Sequence, residues 1–551
     1  MISDDIYFGG RKPIPARRQA LQVRTFVARR EHYRRAVGRH ENAGAGTPEL
    51  YLTSPPDLCQ QRWTSTAQLA GDCRLRRGGA CLWRFGRNET PAMKYNIRLV
   101  STYHPRVCGI ARFSENLATA LARFRDVGHI RVAAISREKR SYSVPVDIVI
   151  DQYDARSWRE AADSIQDSAQ ADDHPHVVLL QHEYGLDGRE GTGTNYVNMA
   201  KHLHDQGLMT IAYLHTVLRN PNDHQRAILQ QIAANTDGLV VTLGGAIDIL
   251  RTSYGIDRSK VTHIDHGIRM RDIKTTDRLR TKRKYGLEHR FLATTLGLLS
   301  PDKGVHYGVR AYALFLAESC TREQRRQLVY LIAGQYHPGF VESHGGEPCR
   351  AYRSLLAQTV ADCGLRWCEA DRLGGVDFDE DDVCFLNTYL SEDLLMALYG
   401  ATNVMVLPYL NTEQVSSGIL ADTIGSGRVA IASKTMYARE LLGDSGDREM
   451  VITPRGILVD PGEPSVEQIA QGLDFLVFNE QQRLAMERDA QGRGYEMRWE
   501  NAAWELIQYV KSVEETRSIV TGRGPEFVRQ RTSRLEQLGH VVEVRSPRKR
   551  D

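Results

Sequence analysis

From Tyr95 onward, short runs of β-branched and other apolar residues alternate with stretches of helical periodicity. Runs of this kind, separated by helices, are typical of parallel strands that are covered on both faces. Between the first two runs, the stretch 109–124 places its apolar residues on one face of a helix. In this half of the chain the predicted strands are 95–101, 130–136, 176–181, 209–214, 238–242 and 261–265.

A charged, linker-like stretch at about 270–290 interrupts this rhythm, which then starts again. The second set of predicted strands is 291–298, 327–334, 403–408, 428–433 and 456–459. The whole pattern indicates an α/β protein with two doubly wound, Rossmann-like parallel-sheet domains that face each other across a cleft. Domains of this type bind ligands outside the carboxyl ends of their strands, so we expect the site in that cleft.

The same rhythm divides the chain into five regions. A helix at about 499–512, which carries Trp499 and Trp504, is expected to pack back on the first domain. The predicted regions are an Arg-rich, disordered extension at 1–92, an N-terminal Rossmann-like domain at 93–275, a C-terminal Rossmann-like domain at 276–480, C-terminal helices that cross back at 481–515, and a basic, disordered tail at 516–551.

Composition changes this picture mainly at the N-terminus. The 551-residue chain has a formal net charge of +4, but its first 92 residues hold 15 Arg and one Lys against eight acidic residues. The basic excess therefore belongs to the extension, and the regular part of the chain gives no indication of nucleic-acid binding. The strand pattern begins just after Met93, which makes this methionine a candidate start. The extension is then either dispensable or misassigned, or it has a function of its own, and its Arg-rich start is similar in composition to a transit peptide.

Two further features of the composition concern the compartment. No run approaches the roughly 20 apolar residues that a membrane-spanning helix needs, and the N-terminus lacks the apolar centre of a secretory signal. The nine cysteines are scattered and show no paired zinc-ligand spacing, which favours free thiols in a reducing cytoplasm. We expect a cytoplasmic protein and leave open a peripheral contact with the inner face of a membrane.

Candidate site residues follow the predicted strands of the first domain. Gly109 lies between strand and helix, where a missing side chain lets a phosphate approach the backbone N–H groups of the helix start, although an ordinary turn also uses glycine there. His182, beside Glu183, and His215 follow neighbouring strands and would face the ligand crevice. The alternative is that both histidines are structural. No third ligand accompanies them at a spacing that suits zinc.

Two loops of the second domain carry the remaining candidates. Lys303, in the segment GLLSPDKG, follows a strand and is placed to pair with a diphosphate, or it is simply a solvated loop lysine. Ser416, Ser417 and Gly418 open an apolar helix after the strand that ends at Pro408. Hydroxyls at a helix start can bind a phosphate, whereas the alternative is an ordinary serine N-cap.

In this order along the chain, these segments resemble the retaining glycosyltransferases of the large family four, which have the GT-B fold. The resemblance runs from about Lys94 to Val513. The family's glycine loop is matched by Gly109 and Ile110, its LHT-like strand end by His215, and its G-R-L-x-x-x-K-G loop by 297–304. One subgroup reads STYPP-x-x-CGIA, QHEFG, LHTVLPNP, GLLSPNKG and YLNPEQ-x-SSG, and the chain matches nearly all of it.

The chain departs from the wider family at the donor-binding positions. Leu298 stands where the family has a phosphate-binding Arg. Gln414 and Asp422 stand in place of two glutamates eight positions apart, with Glu413 one position off, and Glu440 matches a final Glu. Glutamine can still bond sugar hydroxyls and aspartate can still accept from a ribose, so donor binding is retained. The identity of the donor cannot be carried over.

The resemblance implies transfer of a sugar from a nucleoside-diphosphate sugar to an unknown carbohydrate, lipid or small-molecule acceptor, with retention of configuration. It implies no cofactor and no essential metal. Lys303 and the helix start at 416–418 would stabilise the departing diphosphate. Gln414 and Asp422 would hold the rest of the donor.

The first domain would supply the other side of this site. Gly109 and Ile110 would close onto the diphosphate, and His215 would lie against the transferred sugar. His182 and Glu183 are assigned to the acceptor side. Retention in this fold is explained by attack on the front face, assisted by the leaving phosphate, so no nucleophilic carboxylate is assigned.

Two alternatives remain at the level of the sequence. One is another protein with the GT-B fold, such as a sugar-nucleotide epimerase or a phosphorylase, and a phosphorylase would need pyridoxal phosphate on a lysine. The other is a non-catalytic nucleotide-sugar-binding or assembly protein, which the altered glutamate pair favours.

Overall fold

The computed structural model describes residues 94–521, except for positions 139, 173, 188–192, 270–274, 338–340, 342, 374–377, 379–380, 414–415, 444–445 and 447. The predicted extension at 1–92 therefore lies outside the described residues, as does most of the tail predicted at 516–551.

The first half of this part of the chain forms a seven-stranded parallel sheet in the order β3-β2-β1-β4-β5-β6-β7. The central strands β1, β4 and β5 are almost entirely buried, because helices cover both faces of the sheet. The strands are β1 (Tyr95–Ser101), β2 (Val127–Ser136), β3 (Val146–Asp151), β4 (His176–His182), β5 (Met209–Leu214), β6 (Gly238–Val241) and β7 (Val261–His263).

Five helices connect these strands. Two of them begin with side-chain caps that satisfy free backbone N–H groups: Asp154 accepts from Arg156 N, and Asn222 forms a reciprocal capping box with Gln225. The helices are α1 (Gly109–Leu121), α2 (Ala155–Gln170), α3 (Thr194–Asp205), α4 (Asp223–Ala234) and α5 (Gly245–Tyr254).

The second half forms an eight-stranded sheet in the order β10-β11-β9-β8-β12-β13-β15-β14. Its strands are parallel except for β14, which pairs antiparallel with β15 at one edge. The strands are β8 (Phe291–Leu296), β9 (Leu328–Ala333), β10 (Trp367–Ala370), β11 (Val383–Leu386), β12 (Val404–Leu407), β13 (Val429–Ser433), β14 (Val451–Thr453) and β15 (Gly456–Val459).

Most helices of the second half cover this sheet, and the last three continue to the end of the described chain. They are α6 (Thr275–Lys284), α7 (Val305–Ser319), α8 (Arg322–Arg326), α9 (Glu347–Asp362), α10 (Glu392–Ala401), α11 (Gly418–Gly425), α12 (Met436–Leu442), α13 (Pro464–Phe478), α14 (Glu480–Glu496) and α15 (Trp499–Thr521). None of the helices described here is both long and apolar enough to cross a membrane.

The last helix belongs to the core of the first domain. Trp499 and Leu506 of α15 are buried in one cluster with Leu99 of β1 and Phe113 of α1. The packing is close enough that a Cβ on Gly267 would approach the ring of Trp499 to 2.2 Å. Trp504, by contrast, is 53% exposed and takes no part in this contact.

The predicted strands all exist, and the differences lie in elements that the pattern did not indicate. Strands β3, β10, β11 and β14 were not predicted, and the linker-like stretch contains α6. The last helix continues to Thr521, beyond the expected boundary at 515. β3 and β10 are edge strands with exposed polar positions, so they lack the continuous apolar run of a central strand.

Candidate functional site

The order of the strands determines which loops meet. Strand order reverses between β1 and β4 in the first sheet and between β8 and β12 in the second. Such reversal points leave a crevice at the carboxyl ends of the strands, where doubly wound proteins bind ligands. The loop after β1 leads into α1, and the loops after β8 and β12 carry Lys303 and the start of α11. Most of the predicted site residues therefore lie at these two crevices.

Gly109 is the first residue of α1 and is exposed. A Cβ added to it would meet nothing within 4 Å, so the space in front of this helix start is open to a ligand. Ile110, its neighbour, is half-buried against the core. The backbone N–H groups at the start of α1 can therefore be approached closely by an anion.

In the second domain, the loops after β8 and β12 are fixed to each other by their backbones. Leu410 N donates to the carbonyl of Asp302 at 2.8 Å. Gly304 has φ +60°, and a Cβ there would lie 2.1 Å from the carbonyl oxygen of Pro408. Only glycine fits this position, because both the conformation and the close approach exclude a side chain.

This contact brings Lys303 to the start of α11. Lys303 Nζ lies 4.3 Å from the ring centre of Tyr409 and 3.5 Å from Asp302 Oδ2, and its side chain is 25% exposed. Burial raises the pKa of Tyr409, and both Lys303 and the side chain of Ser417 oppose that shift. Two segments that lie more than 100 residues apart in sequence thus form one polar patch at the switch point.

Ser417 is the N-cap of α11, and its hydroxyl accepts from Leu420 N at 3.3 Å. The N-cap interpretation therefore holds for this hydroxyl. The backbone N–H of Gly418, the first residue of the helix, has no acceptor within the helix. Ser416 lies half-buried immediately before it. Gln414 lies outside the described residues.

Asp422, one turn into α11, is only 6% exposed and faces the first domain. Its Oδ2 accepts from Arg112 Nη2 of α1 at 2.6 Å. Burial raises the pKa of the Asp422 carboxyl, and Arg112 opposes that shift. Leu298, in the loop after β8, is half-buried and offers no charge to a phosphate.

The structure corrects the expectation that His215 faces an open cleft. Its side chain is buried, with 6% exposed, because α1 packs over it and Phe113 lies 4.8 Å away, ring centre to ring centre. Its Nε2 is 2.7 Å from Gln181 Oε1. Burial lowers the pKa of His215 to about 3, so the imidazole is neutral.

The two residues assigned to the acceptor side are also enclosed. His182 is fully buried, burial lowers its pKa to about 3, and neither ring nitrogen has a hydrogen-bond partner among the described residues. Glu183 accepts from the Thr216 hydroxyl at 2.6 Å and from Tyr184 N at 3.0 Å. Burial raises the pKa of Glu183, although these bonds oppose the shift.

Two residues at the cleft were missed by the sequence reasoning. Arg112 lies one turn along α1 from Gly109, and helical spacing alone indicates that the two share a face. His266 follows β7, just as His215 follows β5, so the strand-end pattern could have found it. Its Nδ1 is 2.9 Å from Gly267 O, and its Nε2 would lie 3.8 Å from a Cβ on Gly418. Burial lowers the pKa of His266 to about 4.

Glu440, the final glutamate of the family pattern, bridges the two domains. It belongs to α12, and its two carboxylate oxygens accept from Gly244 N at 2.8 Å and Gly245 N at 3.0 Å. These N–H groups begin α5 in the first domain. A carboxylate at a helix start is stabilised by the helix dipole, so this contact favours the closed arrangement of the cleft.

One group in the described residues has the composition of a metal site. Cys368, Asp381 and Cys384 place one ligand atom each within 4.8 Å of one another. The cysteines are neighbours because β10 and β11 pair Cys368 with Cys384, which their separation along the chain did not indicate. The group lies toward the amino ends of these strands, whereas the cleft opens at the carboxyl ends.

No protein-family model matches the chain, and no curated protein sequence matches it. Solved structures are similar in fold. HepE of Anabaena in complex with UDP is 15% identical, with a TM-score of 0.54 over 76% of this chain and 100% of that one. Sucrose-phosphate synthase of Thermosynechococcus elongatus is 14% identical, with a TM-score of 0.55 over 77% and 100%.

A third similar structure is the N-terminal domain of trehalose-6-phosphate phosphatase from Candida albicans. It is 10% identical, with a TM-score of 0.57 over 78% of this chain and 98% of that one. Identities this low establish architecture only. With its seven-stranded and eight-stranded sheets facing each other, the chain has the GT-B fold of glycosyltransferase structures.

Proposed function

We propose that the chain is a glycosyltransferase that moves a sugar from a nucleoside-diphosphate sugar to an acceptor hydroxyl, with retention of configuration. The observation that carries this proposal is the position of Lys303 beside the start of α11, at the switch point of the second sheet. An ammonium group and a helix start together suit a diphosphate. HepE, which shares the fold, is described in complex with UDP.

The chemistry follows from where charge develops. As the bond between the sugar and the diphosphate breaks, negative charge grows on the leaving phosphate oxygens. Lys303 and the N–H groups of α11 are already fixed at that place, so they stabilise the transition state without reorganising. Gly109 leaves room for the diphosphate to reach the start of α1. The leaving phosphate can then accept the proton of the incoming hydroxyl on the same face of the sugar, without a metal or a nucleophilic carboxylate.

His215 acts differently in this proposal from what its sequence position implied. A neutral, enclosed imidazole bonded to Gln181 is not a proton donor to the substrate. It supports the sugar-binding end of the cleft by fixing β5 and Phe113 behind it. The acceptor is an unidentified carbohydrate, lipid or small molecule.

A second candidate function is binding of a nucleotide sugar without transfer. It is favoured by Asp422, whose carboxylate is already paired with Arg112 and which replaces a glutamate of the family pattern. The fold is also compatible with other roles, since the similar Candida domain is part of a trehalose-6-phosphate phosphatase. Release of nucleoside diphosphate from a donor, followed in a coupled assay, would exclude a purely binding function.

The first experiment is a thermal-shift screen of UDP-, GDP- and ADP-glucose with the full chain. A ligand that binds only the folded state stabilises it and therefore raises the melting temperature. At a ligand concentration of 100 Kd the free energy of unfolding rises by about 2.7 kcal/mol. One of the three donors should raise the melting temperature more than the other two. Absence of any shift with all three donors and with their free diphosphates would contradict the proposal.

The decisive variant is Lys303→Ala. A hydrogen bond to a charged group contributes about 1.5–3 kcal/mol, so this variant should bind the nucleoside diphosphate roughly tenfold to a hundredfold more weakly. The bare nucleoside should bind both proteins equally, because it has no phosphate. Leu298→Arg in the same background should recover part of the loss. Titration calorimetry measures all of these affinities.

Lys201→Ala is the matched control, because it removes the same charge from an exposed lysine on α3 that pairs only locally with Asp205. Its diphosphate affinity should equal that of the wild type. Equal affinity of Lys303→Ala and wild type would make the loop after β8 structural and would remove the donor-site assignment.

A further inference from the structure

A network of four charged side chains crosses the cleft between the domains. Arg112 of α1 donates to Asp422 Oδ2 at 2.6 Å, and its Nε lies 3.2 Å from Glu392 Oε2 at the start of α10. Arg269 Nη1 is 3.4 Å from the other oxygen of Glu392. The Arg112 side chain remains 31% exposed, whereas Asp422 is almost fully buried. Within the pair of Arg112 and Asp422, Arg112 is therefore the member whose side chain can turn toward a ligand.

The space in front of Gly109 is open, and Arg112 follows this glycine on α1. The two residues are three positions apart on α1, so they lie on one face of that helix. On the opposite side of the cleft, α11 begins at Gly418 beside His266. Phe113, next to Arg112 on α1, lies 5.2 Å from His266, ring centre to ring centre, and the charge of Arg112 adds to the burial that lowers the pKa of His266.

The distance that separates the present partner of Arg112 from the proposed diphosphate position is short. Asp422 is four residues along α11 from Gly418, which is about 6 Å at 1.5 Å per residue. Rotation about the side-chain torsions of an arginine covers such a distance without movement of the backbone. Glu392 would keep Arg269 as its partner during that rotation.

Asp422 would not be left without a donor. Tyr399 is fully buried, and its hydroxyl has no hydrogen-bond partner among the described residues. It lies close enough to Asp422 and Arg112 for both charges to influence its pKa, which burial raises well above the usual range. A buried donor without a partner beside an ion pair is costly unless another state of the site uses it.

We propose that Arg112 is a donor-binding residue that exchanges Asp422 for the diphosphate when the donor enters the cleft. In this exchange, the guanidinium of Arg112 replaces the one that is missing at Leu298, and Asp422 becomes free to accept from Tyr399 and from a hydroxyl of the donor. The planar fork of arginine suits two phosphate oxygens at once, which a lysine cannot match. This inference rests on the proposed function, because it requires a nucleoside diphosphate in the cleft.

The test is titration calorimetry of UDP, GDP, ADP and the three corresponding nucleosides with the full chain and three variants. Arg112→Gln should weaken binding of the preferred diphosphate at least tenfold and leave the nucleoside within twofold of wild type. Arg112→Lys keeps the charge but loses the planar fork. Its affinity for the diphosphate should lie between those of wild type and Arg112→Gln. Arg123→Gln removes the same charge from an exposed pair with Glu500 just beyond α1, and it should bind like wild type.

The opposite result is equally informative. If Arg112 only holds the cleft closed through Asp422, Arg112→Gln will bind the diphosphate as tightly as wild type or more tightly, and the inference is wrong. If Lys303→Ala loses affinity but Arg112→Gln does not, the proposed function stands and only this inference falls. If the wild type binds none of the three diphosphates, both fall. Equal melting temperatures of the variants would show that any loss is not caused by unfolding.

Discussion

Single histidines behind the cleft show how strongly burial changes the chemistry of a side chain. His182, His215 and His266 follow three parallel strands of one sheet, and burial lowers the pKa of each to about 3 or 4. All three imidazoles are therefore neutral near pH 7. His266 is the one that lies next to the start of α11, so it is better placed than His215 to accept from a sugar hydroxyl.

The role of His215 can be separated from its contribution to stability. His215→Ala leaves Gln181 without its partner and opens a cavity, so the free energy of unfolding should fall by about 2–4 kcal/mol. Turnover should fall at least tenfold, which corresponds to about 1.4 kcal/mol in the barrier. His215→Gln restores a bond to Gln181 and should recover most of the stability. Turnover that recovers together with stability would demote His215 to a purely structural residue.

At the scale of helices and strands, the sequence predicted most of the strands that are buried at every position, although it missed β11, which is also buried throughout. Central strands such as β5 and β13 are buried at every position and gave clear apolar runs. Edge strands such as β3 alternate between buried and exposed positions, and β10 and β11 have only four residues each. Short or half-exposed strands give little periodic signal, so their existence depends on neighbours that a single sequence does not reveal.

The same limit explains which residues of the candidate site could be predicted from the sequence and which could not. Lys303 and Ser417 were found because each follows a strand, and the strand order then placed them together. The burial of His215 under Phe113 depends on how α1 packs, which spacing along the chain does not define. The pair of Arg112 and Asp422 joins residues 310 positions apart, and no local pattern links them.

We expect the contact between Glu440 of α12 and the start of α5 to stabilise the closed form of the two domains. Glu440→Ala removes the acceptor of two N–H groups at a helix start, a loss of about 1 kcal/mol or roughly a fivefold shift toward the open form. Single-molecule energy transfer between dyes on the two domains measures that shift. Glu440→Gln keeps one acceptor oxygen. Its population of the open form should lie between those of wild type and Glu440→Ala. Glu480→Ala, which removes an exposed carboxylate that pairs with the buried Arg483 within α14, is the control and should leave the distance distribution unchanged.

At the scale of the whole molecule, stability should depend on pH through these histidines. In the unfolded chain these three histidines take up protons as the pH falls through about 6.5, whereas in the folded chain they do not until about pH 4 or 3. The unfolded state binds more protons in that window, so stability is present above pH 6.5 and is lost below it. Each histidine should remove about 1 kcal/mol between pH 7 and pH 5.5.

Denaturant unfolding at several pH values between 7 and 5.5 tests this expectation. His182→Leu should reduce the loss of stability across this range by about 1 kcal/mol, because it removes one of the three imidazoles whose pKa is lowered in the folded protein. His204→Leu removes an exposed histidine from α3 and serves as the control. A pH dependence that is the same in wild type and His182→Leu would mean that His182 is protonated in the folded protein.

Because α15 packs on the first domain, that domain cannot complete its core until late in synthesis on the ribosome. Leu99 and Phe113 emerge early, but Trp499 and Leu506, which cover them, are made only after the second domain. More than 230 residues separate the end of β7 from the start of α15, which is a delay of roughly 10–50 s at about 5–20 residues per second. During that time the nascent first domain carries an uncovered apolar groove. A chaperone that binds such grooves cotranslationally is therefore expected to hold this chain until synthesis ends, and a stop codon before Trp499 should yield an aggregating product.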